Sequence, residues 1–206
     1  MNFVNLQKEI PDILLDIRYC SSYNFVGEVI DGYLDPIALS TQEMCQALQA
    51  VNAFLKTQGL RLKVYDAYRP QKAVNHFMRW AQDFQDIKMK NIFYPNIEKE
   101  AIFKEQYLIE KAGHSRGSTI DCTLFDDKKG CDLDMGSPFD LFDQKSHPLY
   151  TESFSSKQIE NRLLLREIMT THGFMPLESE WWHFTLKNEP YPSTYFDFNV
   201  AIDQSE

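Results

Sequence analysis

Helical and strand-like patterns follow one another in this 206-residue chain without a regular strand–helix–strand rhythm. A parallel α/β sheet needs that rhythm, because each parallel strand is reached by a long crossover that is usually a helix. The irregular order favours an α+β fold with a central, mostly antiparallel sheet flanked by helices. No linker or internal repeat divides the chain, so we expect a single domain over residues 1–206.

Three segments carry helical periodicity. Ser40-Thr41-Gln42-Glu43 is typical of a capping box that opens a helix, which Gly59 would end. A second helix is predicted after Arg69-Pro70, because proline suits the first turn of a helix. A third is predicted over residues 156–172 and would end at Gly173. Its predicted core positions are Leu163, Leu164, Ile168 and Met169.

Three segments resemble strands: residues 61–68, 118–125 and 181–186. Side chains alternate between the faces of a strand, so Thr119 and Asp121 are expected on the same face. The acidic run 126–130 is interpreted as a turn. It does not fit a calcium loop, because Lys128 and Gly130 occupy positions that need oxygen ligands. Residues 84–113 give no clear pattern.

Charge and apolar runs restrict the partners of the chain. The net charge of -9 disfavours nucleic acid and anionic membrane surfaces, which reward clustered Lys and Arg. No apolar run approaches the roughly 18 residues that span a bilayer. The first residues lack the basic start and apolar block of a signal peptide, so we expect a cytoplasmic protein. A homo-oligomer is compatible with the sequence, but no pattern indicates one.

The four cysteines show no Cys-x-x-Cys spacing, which disfavours a zinc–cysteine site. Cys45 lies in a helical pattern and Cys122 in a strand pattern. A free thiol in such a position acts as a small apolar side chain. We therefore expect reduced, structural cysteines.

Two distant segments supply a candidate metal site. His114, Asp121 and His183 offer two imidazoles and a carboxylate, which suit zinc. Three protein ligands leave a fourth position open, which distinguishes a catalytic zinc site from a structural one. For either His–Asp pair taken singly, the alternative is a core histidine bonded to a nearby aspartate. Taken together, the segments favour a zinc hydrolase.

Glu180 and Arg69 are candidate catalytic residues. Glu180 is placed to take a proton from a water molecule, but residues i and i+3 of a strand face opposite ways. We therefore expect Glu180 on a turned segment just before the strand; an exposed glutamate beside Glu178 is the alternative. Arg69 lies at a strand-to-helix junction and suits a carboxylate or a developing oxyanion. A surface salt bridge is the alternative for Arg69.

The remaining histidines are not assigned to the metal. His76 lies in a predicted helix, His147 precedes Pro148 in a loop, and His172 ends a helix. A histidine at a helix C-terminus interacts favourably with the helix dipole, which accounts for His172 without a metal.

Several short motifs follow one another in a specific order along nearly the whole chain. They are Asp31-Gly32-Tyr33, Asp66-Ala67-Tyr68-Arg69-Pro70, Tyr94-Pro95-Asn96-Ile97, His114-Ser115-Arg116-Gly117-Ser118, Met135-Gly136-Ser137-Pro138-Phe139-Asp140, Glu180-Trp181-Trp182-His183 and Pro190-Tyr191-Pro192. In this order and spacing the chain resembles the zinc D-alanyl-D-alanine dipeptidases of the vancomycin-resistance type, the VanX-like enzymes. The resemblance implies the α+β fold shared by zinc D,D-peptidases and the Hedgehog signalling domain.

The resemblance also implies roles for individual residues. One zinc ion per chain would be bound by His114, Asp121 and His183. Glu180 would act as general base, and Arg69 would stabilise the tetrahedral intermediate. The residues expected to shape the small substrate pocket are Tyr19, Tyr33 and Asp140, with Asp140 suited to the ammonium group of the substrate. The implied reaction is hydrolysis of D-Ala-D-Ala to two D-alanine.

Two positions depart from the usual pattern of the family. The chain has Ala112 where Ser is usual and Thr119 where Ala is common. The first change removes a hydroxyl that could help hold the substrate carboxylate. Two other functions remain as alternatives: a zinc D,D-carboxypeptidase acting on longer cell-wall peptides, and a non-catalytic zinc module that binds a protein. The sequence does not indicate whether the role is glycopeptide resistance or dipeptide recycling.

Overall fold

The computed structural model describes residues 2–104 and 111–202. Its strands are β1 (Phe3–Asn5), β2 (Leu14–Leu15), β3 (Leu39–Thr41), β4 (Leu60–Asp66), β5 (Thr119–Asp126), β6 (Cys131–Asp132), β7 (Phe174–Leu177) and β8 (Glu180–Leu186). Its helices are α1 (Leu6–Glu9), α2 (Gln42–Lys56), α3 (Gln71–Gln82), α4 (Lys90–Phe93), α5 (Lys99–Lys104) and α6 (Ser156–Thr171). Short 3-10 turns lie at Arg18–Cys20, Gly113–Arg116 and Gln144–Ser146.

The central sheet has six strands in the order β2–β4–β5–β8–β7, with β6 paired to β5. Strand β2 runs parallel to β4, and the other pairings in this sheet are antiparallel. Strands β1 and β3 form a separate antiparallel pair. The α+β prediction with a mostly antiparallel sheet is therefore confirmed. Pairing of β5 with β8 sets Asp121 directly opposite His183.

Helix α2 packs on β4 through an apolar face that includes Leu48 and Val51. Its cap differs from the prediction by one residue. Thr41, and not Ser40, is the N-cap, and its hydroxyl accepts from the backbone N–H of Met44 at 3.3 Å. The predicted cap was wrong because β3 continues through Thr41, so the helix begins only at Gln42.

Helix α6 begins at a capping box formed by Ser155 and Gln158. Two of its predicted core positions, Ile168 and Met169, are buried, and Leu164 packs against the core. The prediction was wrong for Leu163, whose side chain is 45% exposed. Relative to the predicted orientation, the helix is rotated about its axis. Two polar residues of α6, Asn161 and Arg162, are therefore buried while Leu163 is exposed.

Other features of the chain agree with the sequence patterns. Helix α3 follows Pro70 and buries Phe77 and Trp80. The four cysteines are free, and Cys45 and Cys122 are buried. The segment 84–113 includes the short helices α4 and α5, while residues 105–110 lie outside the described part. Within that part, no helix has both the length and the apolar character needed to cross a membrane.

Candidate active site

Three separate elements bring the predicted metal ligands together. His114 lies on the 3-10 turn before β5, Asp121 in β5 and His183 in β8. Asp121 Oδ2 lies 3.2 Å from His114 Nε2, and Asp121 Oδ1 lies 3.2 Å from His183 Nδ1. The two imidazole nitrogens are 3.3 Å apart. One ligand atom from each residue therefore lies within 4.8 Å of the other two.

The orientation of His114 is set by its backbone neighbours. Its Nδ1–H donates to the carbonyl of Ala67 at 2.7 Å, which leaves the lone pair on Nε2 directed at the other ligands. The turn that carries His114 closes at Gly117, with φ +83°. A Cβ at Gly117 would lie 2.3 Å from the ring of Phe3, so glycine is needed there both for the backbone angle and for space.

The donor set fits a zinc ion. Asp121 Oδ1 is buried and accepts no hydrogen bond, which is costly for a carboxylate unless a cation compensates it. Burial raises the pKa of Asp121, but the neighbouring His114 and His183 outweigh it and hold that pKa well below its ordinary value. Two nitrogen donors and one oxygen donor without a thiolate are typical of hydrolytic zinc sites.

A strand irregularity brings Glu180 to the same site. Glu180 is the first residue of β8, where the pairing with β7 shifts register between Pro176 and Leu177. Its Oε2 lies 3.3 Å from His183 Nδ1, although the two residues are three apart in a strand. The expectation that Glu180 precedes the strand was therefore wrong by one residue. The register shift supplies the bend that we expected from a turn.

Burial of His183 lowers its pKa, but the adjacent carboxylates of Asp121 and Glu180 outweigh this and raise the pKa to about 9. The direction of this shift shows that the carboxylates dominate the charge around His183. Such surroundings favour a positive charge at the centre of the site, as a divalent cation would provide.

Arg69 is fixed on one side of the ligands. Its Nε donates to Asp66 Oδ2 at 2.8 Å and its Nη2 to Asp121 Oδ2 at 3.3 Å. Its guanidinium lies over the rings of Tyr19 and Phe77, at 4.9 and 5.3 Å from their centroids. Only 12% of the side chain is exposed, so the alternative of a surface salt bridge does not fit.

These side chains open into a cavity of about 430 Å³. One part of its wall is lined by titratable side chains, which are His114, Asp121, His183, Glu180, Arg69 and Asp140. Another part is apolar, and includes Phe25, Val74, Phe77, Met78 and Phe142. The cavity therefore combines a candidate metal-ligand set, two further carboxyl groups and a guanidinium within one small volume.

Asp140 lines the cavity in an unusual backbone conformation. Its φ of 61° is positive, and within the described residues it is the one non-glycine residue with this property. Its Oδ2 accepts a hydrogen bond from Tyr19 Oη at 2.9 Å. Burial, and then the charge of Asp121, raises the pKa of Asp140 well above its ordinary value. A carboxyl group that combines backbone strain with a strongly shifted pKa in a cavity is a candidate functional residue.

Tyr33 lies behind the cavity and not among the residues that line it. Its hydroxyl donates to Asp66 Oδ1 at 2.6 Å, and the other oxygen of Asp66 holds Arg69. Tyr33 therefore acts on Arg69 through Asp66 and is not placed to touch a substrate. Sequence reasoning gave Asp66 no role, although the motif Asp66-Ala67-Tyr68-Arg69-Pro70 contains it.

The two departures from the family pattern have different surroundings. Ala112 lines the cavity, so a hydroxyl at this position would face the site. Thr119 bonds instead to Thr185 at 2.9 Å, across the β5–β8 pairing, and supports the sheet.

The three remaining histidines differ in their distance from the site: His76 and His172 lie outside the cavity lining, and His147 is part of it. His76 contacts Glu28 and Asp31, and His172 bonds the carbonyl of Ile168 at the end of α6. His147 lines the cavity, which sequence reasoning did not anticipate.

An α+β fold that gathers a largely buried His–Asp–His set, a glutamate and an arginine in one cavity is the arrangement expected of a metallopeptidase. Comparison with known sequences gives the family. Residues 1–201 match the profile of the Peptidase_M15 family described as D-ala-D-ala dipeptidase, and the chain belongs to this family.

Curated relatives match nearly the whole chain. The D-alanyl-D-alanine dipeptidase of Enterococcus faecium is 38% identical over 200 residues, covering 97% of this chain and 98% of the relative. That of Streptomyces coelicolor is 38% identical with the same coverage. That of Escherichia coli is 35% identical and covers 97% of this chain and 92% of the relative. The match therefore extends over the full site and not only over its motifs.

Proposed function

We propose that this protein hydrolyses D-alanyl-D-alanine to two molecules of D-alanine, with one zinc ion held by His114, Asp121 and His183. The observation that carries the proposal is the convergence of these three ligands with Glu180 and Arg69 in one cavity. The names of the curated relatives, which match over nearly their full length, support the choice of substrate.

A zinc ion held by His114, Asp121 and His183 would supply a Lewis acid, which would polarise the peptide carbonyl and lower the pKa of a water molecule. Glu180 is the base: its Oε2, beside His183 Nδ1, accepts the proton of the attacking water. The same carboxyl then delivers the proton to the departing amine nitrogen. Arg69, held by Asp66, donates hydrogen bonds to the carbonyl oxygen as negative charge develops on it.

Asp140 and Tyr19 recognise the amino end of the dipeptide in this proposal. The Asp140 carboxylate lies in the cavity with Tyr19 as its hydrogen-bond donor, and a substrate ammonium group would compensate its buried charge. Such a contact makes a free amino group part of the recognised structure. It therefore favours a dipeptide over a longer peptide that ends in D-Ala-D-Ala.

The test is hydrolysis of D-Ala-D-Ala by the purified protein with and without a chelator, beside L-Ala-L-Ala and a longer peptide ending in D-Ala-D-Ala. The proposal predicts chelator-sensitive cleavage of D-Ala-D-Ala only, and recovery of activity when zinc is returned. Preferred cleavage of the longer peptide would favour a D,D-carboxypeptidase. Stoichiometric zinc without cleavage of any of these peptides would favour a binding module.

We also propose that the protein acts in the cytoplasm. Its four cysteines are unpaired, which fits a reducing compartment. In that compartment the substrate would be the free dipeptide and not the assembled cell wall.

A further inference from the structure

Arg162 of α6 is a buried cation that the proposed reaction does not use. Its side chain is 2% exposed. Its Nε donates to the carbonyl of Met135 at 2.5 Å, its Nη1 to the carbonyl of His147 at 2.7 Å and its Nη2 to Ser137 Oγ at 2.8 Å. The guanidinium also lies 4.4 Å from the ring centroid of Phe154. All three hydrogen bonds therefore go to uncharged oxygens.

Burial lowers the pKa of Arg162 to about 10, and the charge of Asp134 offsets only part of this. A buried guanidinium is costly unless its donors are satisfied, and an apolar residue in α6 would avoid that cost. A planar fork of donors, however, can hold several acceptors at fixed positions, which an apolar residue cannot do. The arrangement thus indicates that Arg162 fixes the positions of the groups that accept its hydrogen bonds.

Those groups belong to one loop of the cavity. We define residues 135–147 as the Asp140 loop; Met135 and His147 are its ends, and Asp140 lies between them. Arg162 bonds both end carbonyls, so it ties the two ends of this loop to α6. Ser137, within the loop, also accepts a hydrogen bond from Trp181 Nε1 at 3.1 Å, which joins the loop to β8.

The strained backbone of Asp140 explains why such a tie is needed. A positive φ at a non-glycine residue is strained and persists only where the surroundings impose it. Phe139, next to Asp140, stacks on Tyr65 at 4.6 Å. Together with the bonds of Arg162, this contact holds the loop on both sides of Asp140.

We propose that Arg162 is a positioning residue for substrate binding, which holds the Asp140 loop so that the Asp140 carboxylate meets the ammonium group of the dipeptide. The inference rests on the proposed function for the identity of the ligand. Arg162 does not touch the substrate. Its effect is expected in the binding of the amino end and not in the proton transfers at Glu180.

The kinetic test compares Arg162→Met with Arg166→Met, which removes a partly exposed arginine one turn further along α6 that pairs with Glu178. We expect Arg162→Met to raise KM for D-Ala-D-Ala about tenfold or more, the effect of losing an oriented charged contact, with a smaller change in kcat. Arg166→Met should leave both constants near the wild-type values. A fall in kcat at unchanged KM would overturn the proposal.

A double-mutant cycle shows whether Arg162 acts through Asp140. In an Asp140→Asn background, Arg162→Met should raise KM no further, because the contact that it positions is already lost. Additive effects of the two substitutions would overturn the proposal. Ser137→Ala removes a single acceptor of Arg162 and should raise KM less than Arg162→Met does. Arg162→Lys should also raise KM less than Arg162→Met does.

Hydrogen exchange separates this inference from the proposed substrate. Arg162→Met should accelerate amide exchange within residues 135–147 and leave exchange in α2 unchanged, whichever peptide the protein cleaves. Arg166→Met should change neither. Exchange that rises equally throughout the chain, or not at all in the Asp140 loop, would show that Arg162 does not position this loop. Failure of the wild-type protein to cleave D-Ala-D-Ala would instead count against the substrate.

Discussion

Asp66 shows how a single buried side chain can organise the site. Its Oδ1 accepts from Tyr33 at 2.6 Å, and its Oδ2 accepts from Arg69 at 2.8 Å and lies 3.6 Å from His114 Nδ1. Burial raises the pKa of Asp66, while Arg69 and His114 oppose this. One carboxylate thus links a proposed metal ligand to the residue proposed to stabilise the oxyanion, so Asp66 holds their relative positions.

Arg69→Lys tests the geometry of that contact. An ammonium group cannot bond Asp66 and Asp121 through separate nitrogens and also reach the substrate, so we expect kcat to fall about 100-fold or more. Zinc content should be unchanged, because Arg69 is not a ligand. Arg116→Lys, which alters a partly exposed pair with Glu189, is the matched control and should keep kcat within about twofold. Full activity of the Arg69 variant would contradict its role.

Tyr33→Phe tests the residue behind the cavity. The change leaves Asp66 Oδ1 without its donor, and an unpaired buried carboxylate oxygen costs about 1–3 kcal/mol of folding free energy. We expect a reduced free energy of unfolding and a reduced kcat, with little change in KM, because Tyr33 does not line the cavity. Tyr68→Phe, which removes a hydrogen bond to the carbonyl of Phe198, is the control and should leave kcat unchanged. A change confined to KM would place Tyr33 at the substrate.

At the scale of elements, the site depends on local departures from regular structure. The register shift where β7 meets β8 turns Glu180 toward His183. The left-handed residue Gly117 closes the turn that presents His114. An ideal strand or turn would separate these groups. Irregular backbone at the ends of β5 and β8 therefore converts a sheet into a binding site.

Gly117→Ala should destabilise the protein more than Gly130→Ala does. Both glycines have positive φ, +83° and +69°, so each substitution strains the backbone by about 1 kcal/mol. A Cβ at Gly117 would also overlap Phe3, whereas none of the surrounding atoms lies within 4 Å of a Cβ at Gly130. We expect a further loss of about 1–3 kcal/mol at Gly117, measured by urea unfolding with saturating zinc. Equal losses would show that the close contact with Phe3 does not matter.

Across the whole molecule, patterns and motifs predicted the α+β class and the main helices. Residue types and motif order also selected His114, Asp121 and His183 as candidate metal ligands, and the structure brings these three side chains together. The exposed Leu163 and the buried Arg162 were missed, because hydrophobic periodicity favours leucine over arginine at a core position. Tyr33 is not among the side chains that line the cavity, because a motif gives proximity to a site but not which of its residues face it. Tertiary contacts decide which helix positions are buried and which side chains line a cavity.

The three proposed metal ligands come from β5, β8 and the turn before β5, so zinc binding should stabilise the whole fold. At free zinc a hundredfold above its Kd, the gain is about 2.7 kcal/mol, which corresponds to an increase in Tm of roughly 5–10 °C. Calorimetry with and without chelator measures the shift. His183→Ala should abolish it, whereas His76→Ala, outside the cavity, should retain it. An unchanged Tm in the wild-type protein would mean that zinc does not bind at this site.

The most direct test of the account is the zinc content and the D-Ala-D-Ala turnover of Glu180→Gln, measured on the same preparation. We predict one zinc per chain and a loss of turnover of about 1000-fold, because the amide cannot accept the proton of water. Glu178→Gln, two residues away and paired on the surface with Arg166, should retain both properties. Turnover within tenfold of wild type, or loss of zinc together with activity, would contradict the role of Glu180 as the base.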